Sequence, residues 1–111
     1  MADFKQAWKI TGANEGGYSN VAGDTGGETY AGITRKNFPH WSGWATVDLR
    51  KPISRGTTLQ SLEPAVESFY KINFWDPIDG DNIADQTLAN DVFDMAVNAG
   101  VGEALKLLKQ S

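Results

Sequence analysis

The chain has 111 residues, with 10 basic and 14 acidic side chains and a net charge of -4. It contains no cysteine and one histidine, which excludes disulfides, thiol nucleophiles and multi-histidine metal sites. The aromatic content of 11% argues against disorder, and the acidic balance argues against nucleic-acid binding. The length predicts a single domain over residues 1–111.

The N-terminal segment is predicted to form a helix whose apolar face carries Phe4, Ala7, Trp8 and Thr11. Asp3 is suited to cap the start of this helix, and the pair Gly16–Gly17 is expected to end it. Glu15 would then lie at the C-terminus of the helix, immediately before a sharp turn.

Residues 16–32 hold six of the twelve glycines, a density typical of turns and of close backbone approach. We predict a hairpin-like excursion here, with short strands at 18–21 and 29–33. Thr34 is expected to cap a short helix over 35–38, ended by Pro39. Residues 41–60 are predicted to be irregular, with one helical turn at 45–49.

Three further helices are predicted over residues 62–74, 88–98 and 103–109. Ser61 is expected to cap the first, and Gly100 and Gly102 to end the second. The acidic run Asp76, Asp79, Asp81 and Asp85 is interpreted as a solvated loop, because its spacing is not that of a calcium loop. The expected fold is therefore mainly α, a helical domain with a small glycine-rich β-hairpin excursion, and no metal or other cofactor is expected.

Two carboxylates are candidates for catalysis. Glu15 would face the negative end of the helix dipole, and apolar neighbours such as Tyr18 would desolvate it; both effects raise a carboxyl pKa. A carboxylic acid that stays protonated near neutral pH is what a glycosidase needs to protonate a leaving oxygen. Asp24 follows nine residues later, where a hairpin could bring it opposite Glu15. The alternatives are a solvated Glu15 near a turn and an Asp24 that only initiates a turn.

Other side chains are candidates for binding sugar or water. Thr29, Tyr30 and Thr34 offer hydroxyls, with ordinary strand and cap roles as the alternative. Asp94 and Asn98 are neighbours on one helix face, where they could line a cleft or bond a loop. Among the tryptophans, Trp8 and Trp75 are interpreted as core anchors, whereas Trp41 and Trp44 are the freer candidates for stacking on sugar rings.

The motifs together resemble one known family. Glu15-Gly-Gly-Tyr18, Asp24-Thr-Gly-Gly27, Thr29-Tyr-Ala-Gly-Ile-Thr34, Phe74-Trp75-Asp76 and Asp94-Met-Ala-Val-Asn98-Ala-Gly100 are similar to motifs of glycoside hydrolase family 108. These are N-acetylmuramidases, also described as secretion-activator or phage endolysin proteins. The resemblance covers residues 4–108. Thr25 stands where family members usually have proline, and members usually continue into a small peptidoglycan-binding region, so residues 1–111 are expected to hold the catalytic domain alone.

The resemblance implies a lysozyme-like fold and cleavage between N-acetylmuramic acid and N-acetylglucosamine in peptidoglycan. Glu15 would be the general acid and Asp24 would assist water, as in phage-type lysozymes. The threonine that comes next in that pattern maps less cleanly, onto Thr29 or Tyr30. Tyr18, Thr29, Tyr30 and Asn98 are the predicted substrate-binding residues. The alternatives are a lytic transglycosylase that uses Glu15 alone and a non-catalytic peptidoglycan-binding or secretion-assisting protein.

The expected partner is the glycan strand of peptidoglycan. The protein is expected to be a monomer and not to insert into a membrane. Residues 1–9 lack the basic flank and apolar block of a signal peptide. By analogy with the family, we expect synthesis in the cytoplasm and action in the periplasm or cell wall, reached through a holin or a dedicated exporter.

Overall fold

The computed structural model describes residues 1–14, 16–20 and 27–110. These residues form five helices, α1 (Phe4–Thr11), α2 (Gly43–Arg50), α3 (Glu63–Tyr70), α4 (Gln86–Ala99) and α5 (Val101–Lys109), and a sheet of three antiparallel strands, β1 (Tyr18–Ser19), β2 (Thr29–Tyr30) and β3 (Ile33–Thr34). The predicted class, mainly helical with a small sheet, is confirmed. The chain divides into two compact units, which we call the helical unit (Met1–Asn14 and Glu67–Ser111) and the sheet unit (Glu15–Val66).

The core of the helical unit is aromatic. Phe4 of α1, Phe93 of α4 and the fully buried Trp75 pack edge to face, with ring centroids 5.5 to 5.7 Å apart. Such pairs add about 0.5–1.5 kcal/mol each to the burial of the rings. The predicted α1 is confirmed together with its cap, since the Asp3 carboxylate accepts a hydrogen bond from the Lys5 amide at 3.0 Å. The expectation that Gly16–Gly17 end this helix was wrong, because α1 ends at Thr11 with Gly12 as its C-cap, and the chain continues as a 3₁₀ turn over Gly12–Asn14.

The predicted helices of the C-terminal half are confirmed with shifted ends. The helix predicted over 62–74 is α3 followed by a π-helical turn at Lys71–Trp75. Ser61 lies inside a 3₁₀ turn, Gln60–Leu62, so its prediction as the cap was wrong. Gly100, at φ 101°, ends α4, but Gly102 lies within α5 rather than ending a helix. The backbone of Gly102 is not left-handed, so this residue can lie in the first turn of α5.

The acidic run is more ordered than the solvated loop that the sequence predicts. It folds into two 3₁₀ turns, Asp76–Ile78 and Gly80–Asn82. The Asp81 carboxylate accepts a hydrogen bond from the indole of Trp75 at 2.9 Å, and Asp85 caps α4 by accepting from the Thr87 amide at 2.9 Å. Two of these aspartates therefore satisfy donors that burial or helix formation would otherwise leave unpaired.

The sheet differs from the predicted pair of strands. The strand expected over 29–33 is broken by a tight turn at Ala31 and Gly32, whose φ angles are 50° and 80°. Two residues at positive φ form the turn that matches the twist of a hairpin, so the chain reverses into a third strand. Thr34 lies in this strand opposite Thr29, and the helix predicted after it is absent, since residues 35–37 form a turn. This turn is closed by a bond from the Phe38 amide to the Thr34 carbonyl at 2.9 Å, and the Arg35 amide donates across the hairpin to the Glu28 carbonyl at 2.9 Å.

The segment predicted to be irregular contains a complete helix and a docked loop. Helix α2 has eight residues rather than one turn, and it buries Trp44 and Val47. The loop that follows hydrogen-bonds β1, because the Tyr18 amide donates to the Thr57 carbonyl at 2.9 Å and the Gly56 amide donates to the Tyr18 carbonyl at 2.8 Å. This loop is the part of the sheet unit that the hydrophobic pattern does not reveal.

Candidate functional site

Both predicted catalytic carboxylates, Glu15 and Asp24, lie outside the described residues. The assignment of these two residues therefore stays a prediction. The described residues on either side of them, 16–20 and 27–34, show how the local backbone is held.

The two glycines that follow Glu15 are required for different physical reasons. Gly16 has φ 71°, a left-handed conformation that side-chain-bearing residues rarely adopt, and no atom lies within 4 Å of where its Cβ would be. At Gly17 the constraint is contact: a Cβ there would lie 2.4 Å from the Thr57 carbonyl oxygen and 2.8 Å from that of Gly56. The Gly-Gly pair is thus explained by one left-handed residue and one close approach of the 54–57 loop.

The pairing of the strands separates the side chains into two faces. Tyr18 lies opposite Tyr30, and Tyr30 opposite Ile33, so these three buried residues share one face. Ser19 lies opposite Thr29, and Thr29 opposite Thr34, which gives the other face three hydroxyls. The Thr34 Oγ1 is buried and has no hydrogen-bond partner among the described residues. The predicted hydroxyl residues are therefore brought together, but Tyr30 points away from the threonines.

Tyr30 is held by the loop rather than exposed to solvent. Only 4% of its surface is exposed. Its hydroxyl donates to the Leu59 carbonyl at 3.3 Å and accepts from the Leu59 amide at 2.7 Å, and its ring stacks on Trp41 with a centroid distance of 6.1 Å. Thr29, in contrast, is half-buried, and no hydrogen bond of its hydroxyl to another described residue is found. Of the two alternatives, Thr29 therefore has the freer hydroxyl.

Tyr18 connects the sheet to a cluster of charged side chains. Its hydroxyl donates to Glu28 Oε2 at 2.8 Å. Burial raises the pKa of this phenol, and the nearby Glu28 carboxylate raises it further. Glu28 also pairs with Lys51 at 2.7 Å and Arg35 at 3.0 Å. Asp48 of α2 pairs with the same two cations, at 3.0 Å to Lys51 and 2.8 Å to Arg35. We call the four charged residues Glu28, Arg35, Asp48 and Lys51 the Glu28 cluster. The cluster connects the sheet to α2.

The charges within the cluster hold one another ionised. Burial alone would raise the pKa of Glu28, but hydrogen bonds from Lys51, Tyr18 and Arg35 outweigh it, and the pKa lies below its usual value. Hydrogen bonds from Arg35 and then Lys51 likewise hold the pKa of Asp48 well below its usual range. The Glu28 and Asp48 carboxylates raise the pKa of Lys51 in return. Glu28 is thus a fixed anion and not a proton donor near neutral pH.

One of the two tryptophans predicted to be free for sugar stacking takes another role. Trp44 is 2% exposed, with its indole donating to the Phe38 carbonyl at 2.8 Å and the Arg35 guanidinium over its ring at 5.1 Å. It belongs to the core, so the expectation that it is free to stack on sugar was wrong, whereas Trp41 is half-buried. Trp75 is the fully buried anchor that was predicted.

Asn98 belongs to the helical unit. Its side-chain amide donates to the Asp94 carbonyl of its own helix at 2.9 Å, while its surface is exposed. The Asp94 carboxylate accepts a hydrogen bond from the buried Thr11 hydroxyl at 3.0 Å. The structure thus gives both residues local contacts within the helical unit, and substrate binding by Asn98 stays a prediction.

The loop after α2 lines two open clefts in the sheet unit. The first, of about 580 Å³, is lined by Tyr18, Asn20, Lys51, Pro52 and Ile53. The second, of about 330 Å³, shares Pro52 and Ile53 and adds Arg50, Ser54, Thr57 and Leu59. Sequence reasoning identified Tyr18 alone among these residues. The others carry no motif and are brought together by the docking of the loop.

One comparison with known proteins gives a match. A family model described as Glycosyl hydrolase 108 matches residues 8–100. The chain belongs to this family. Comparisons with curated proteins and with solved structures gave no significant match.

Membership of the glycosyl hydrolase 108 family makes the chain a glycoside hydrolase with a carbohydrate substrate. The matched range contains every predicted site residue, from Glu15 to Asn98. Within the parts of the chain that are described, no group of three or more histidine, aspartate or glutamate side chains is placed to hold a metal ion. None of the described helices is long and apolar enough to cross a bilayer.

Proposed function

We propose that this chain cleaves peptidoglycan between N-acetylmuramic acid and N-acetylglucosamine by hydrolysis, with Glu15 as the general acid. The observation that carries the proposal is the family match over residues 8–100, which includes the Glu15-Gly-Gly-Tyr18 motif. The structure supports it from the described side of the motif. The residues after Glu15 are held by a glycine at positive φ and by two backbone hydrogen bonds to the 54–57 loop.

In the proposed reaction Glu15 protonates the glycosidic oxygen as positive charge develops on the muramic-acid ring. The leaving sugar departs with that proton, and a water molecule adds to the anomeric carbon. Asp24 stabilises the charged ring or activates the water. As it adds, the water gives up one proton to Asp24 or to solvent, and Glu15 takes up a proton from solvent, so that the enzyme is regenerated.

Thr29 is the hydroxyl that we assign to orienting the water. Its side chain lies on the face that carries Ser19 and Thr34, and it has no hydrogen bond to another described residue. The competing hydroxyl of Tyr30 donates and accepts in bonds to Leu59. Recruiting Tyr30 would break two buried hydrogen bonds, at about 1 kcal/mol each.

The test is a digest of purified peptidoglycan, with the released fragments analysed by mass spectrometry. Hydrolysis predicts fragments that carry one added water at a muramic-acid reducing end. Glu15→Gln is expected to lower turnover by a factor of about 100 or more, since general acid catalysis contributes at least that much. Its thermal unfolding should match that of the wild type.

Matched variants of exposed carboxylates serve as controls. Glu63→Gln and Asp91→Asn remove the same charges at exposed positions and should retain wild-type turnover. Fragments that lack the added water would instead indicate a transglycosylase, and Asp24→Asn would then retain activity. Binding of glycan without any product would indicate a non-catalytic protein. Either of these results would refute the proposed hydrolysis.

A further inference from the structure

The charge of the protein is unevenly distributed between the two units. The sheet unit contains five basic and five acidic residues, whereas the helical unit contains five basic and nine acidic residues. The whole net charge of -4 therefore belongs to the helical unit. An anionic group of a ligand meets less repulsion at the sheet unit.

Within the described part of the sheet unit, Arg50 is a cation that has no ion-pair partner. Arg35 and Lys51 are both paired with Glu28 and Asp48. Arg50 makes no ion pair with any described residue, although it ends α2 directly beside Lys51. No described residue therefore competes with a ligand for its guanidinium.

The cleft that Arg50 lines is suited to a carboxylate on a short peptide. Two hydroxyl-bearing residues, Ser54 and Thr57, line the same cleft together with the apolar Pro52 and Ile53. A guanidinium binds a carboxylate through two parallel hydrogen bonds, and hydroxyls can donate to the same group. The apolar wall matches small aliphatic side chains such as that of alanine.

The position of the cleft relates it to the motif. The loop that forms the cleft is hydrogen-bonded to Tyr18 through Gly56 and Thr57. Tyr18 is three residues after Glu15 in the chain. The wall of Pro52 and Ile53 also lines the cleft that contains Tyr18. The cleft of Arg50 and the cleft of Tyr18 are therefore neighbours that share this wall.

We propose that Arg50 and its cleft bind a carboxylate of the peptide stem that muramic-acid residues carry in peptidoglycan. The inference rests on the proposed function, because it assumes that the substrate is peptidoglycan. It adds a binding site for the peptide to the predicted sites for sugar. The cleft then distinguishes stem-bearing glycan from bare glycan.

The test compares two substrates: peptidoglycan strands with their stems, and the same strands after an amidase has removed the stems. For Arg50→Gln, the kcat/KM on stem-bearing strands divided by that on stem-free strands should fall about 3- to 10-fold, the range for a partly exposed charged contact. Most of the change should be in KM. The control is Lys36→Gln, which removes the same charge from an exposed residue outside both clefts and should leave this ratio unchanged.

Removal of the stems leaves a free lactyl carboxylate on each muramic acid, so the two sources of negative charge are separable. A loss confined to the stem-free strands would assign Arg50 to the lactyl group and overturn the proposal. An unchanged ratio in Arg50→Gln would overturn it as well.

A binding measurement keeps the inference independent of turnover. Glu15→Gln protein is titrated with a soluble muramyl peptide and with the same peptide as its methyl esters. Esterification should weaken binding about 3- to 10-fold when Arg50 is present and should have no effect in the Arg50→Gln background. If the wild type cleaves neither strand, the proposed function fails and this titration alone decides the role of Arg50; equal binding of acid and ester would then refute it.

Discussion

Gly17 gives the sharpest stability prediction, since the reason for a glycine there is a contact rather than a conformation. In Gly17→Ala the new Cβ would lie 2.4 Å from the Thr57 carbonyl oxygen, against 3.4–4 Å for ordinary contact, so the loop must move by about 1 Å. That movement stretches two backbone hydrogen bonds, from the Tyr18 amide to Thr57 and from the Gly56 amide to Tyr18. At about 1 kcal/mol for each bond, plus about 1–3 kcal/mol for overpacking, we expect a loss of about 3–5 kcal/mol.

The assay is urea and thermal unfolding of Gly17→Ala beside the wild type. For a domain of this length the loss corresponds to a fall in Tm of roughly 10 °C or more. Gly102→Ala is the matched control, because it makes the same change inside α5 where no atom lies within 4 Å of the new Cβ. It should raise stability by about 0.5–1 kcal/mol.

A second pair of variants separates contact from conformation. Asparagine tolerates a left-handed backbone, so Gly16→Asn, at φ 71° with open space around it, should cost less than about 1 kcal/mol. Gly17→Asn should be at least as damaging as Gly17→Ala. Wild-type stability of Gly17→Ala, or equal losses in the two asparagine variants, would refute the explanation from the close approach of the loop.

Two further predictions concern side chains. Glu28→Gln removes the anion that binds Lys51 and Arg35, and we expect a loss of about 1–3 kcal/mol near neutral pH. Because the pKa of Glu28 is held below its usual value of 4.5, its contribution to stability is present above that pH and is lost as the pH falls through the folded-state pKa. The difference in unfolding free energy between variant and wild type, measured in urea, should therefore narrow in acid. A difference that does not depend on pH would contradict this account. Thr11→Val removes the donor from Thr11 Oγ1 to Asp94 and should lower the free energy of thermal unfolding by about 1 kcal/mol, whereas no change would show that the bond contributes nothing net.

The parts of the fold that were predictable are those in which local pattern and burial agree. Helix α1 has a cap at Asp3 and an apolar face at helical spacing, and both are found as expected. Helix α4 likewise buries Val92 and Ala96 at that spacing. The buried role of Trp75 followed from its position after an aromatic helix.

The parts that were missed depend on contacts between distant residues or on rare conformations. Ala31 at positive φ ends a strand that the β-type residues beside it predict to continue, and alanine carries no signal for that conformation. The Glu28 cluster joins residues that are up to 23 positions apart, and the two hydrogen bonds that hold the 54–57 loop on β1 are between backbone groups. Neither the composition nor the periodicity of residues 41–60 predicts these ion pairs or the docking of the loop. The second cleft is formed by that docking.

The same reasoning separates two meanings of the Glu15-Gly-Gly-Tyr18 motif. Its glycines are required by the backbone of the sheet unit, one through a positive φ and one through the approach of Thr57. A chain could keep both for folding and still lack the chemistry of the carboxylate, so a match to the motif reports the fold as well as catalysis. The two kinds of variant divide these roles: Gly17→Ala should lower Tm and reduce activity only in proportion to the folded fraction. Glu15→Gln should keep Tm and lose turnover, and a variant at Glu15 that lost both together would assign that residue to the fold.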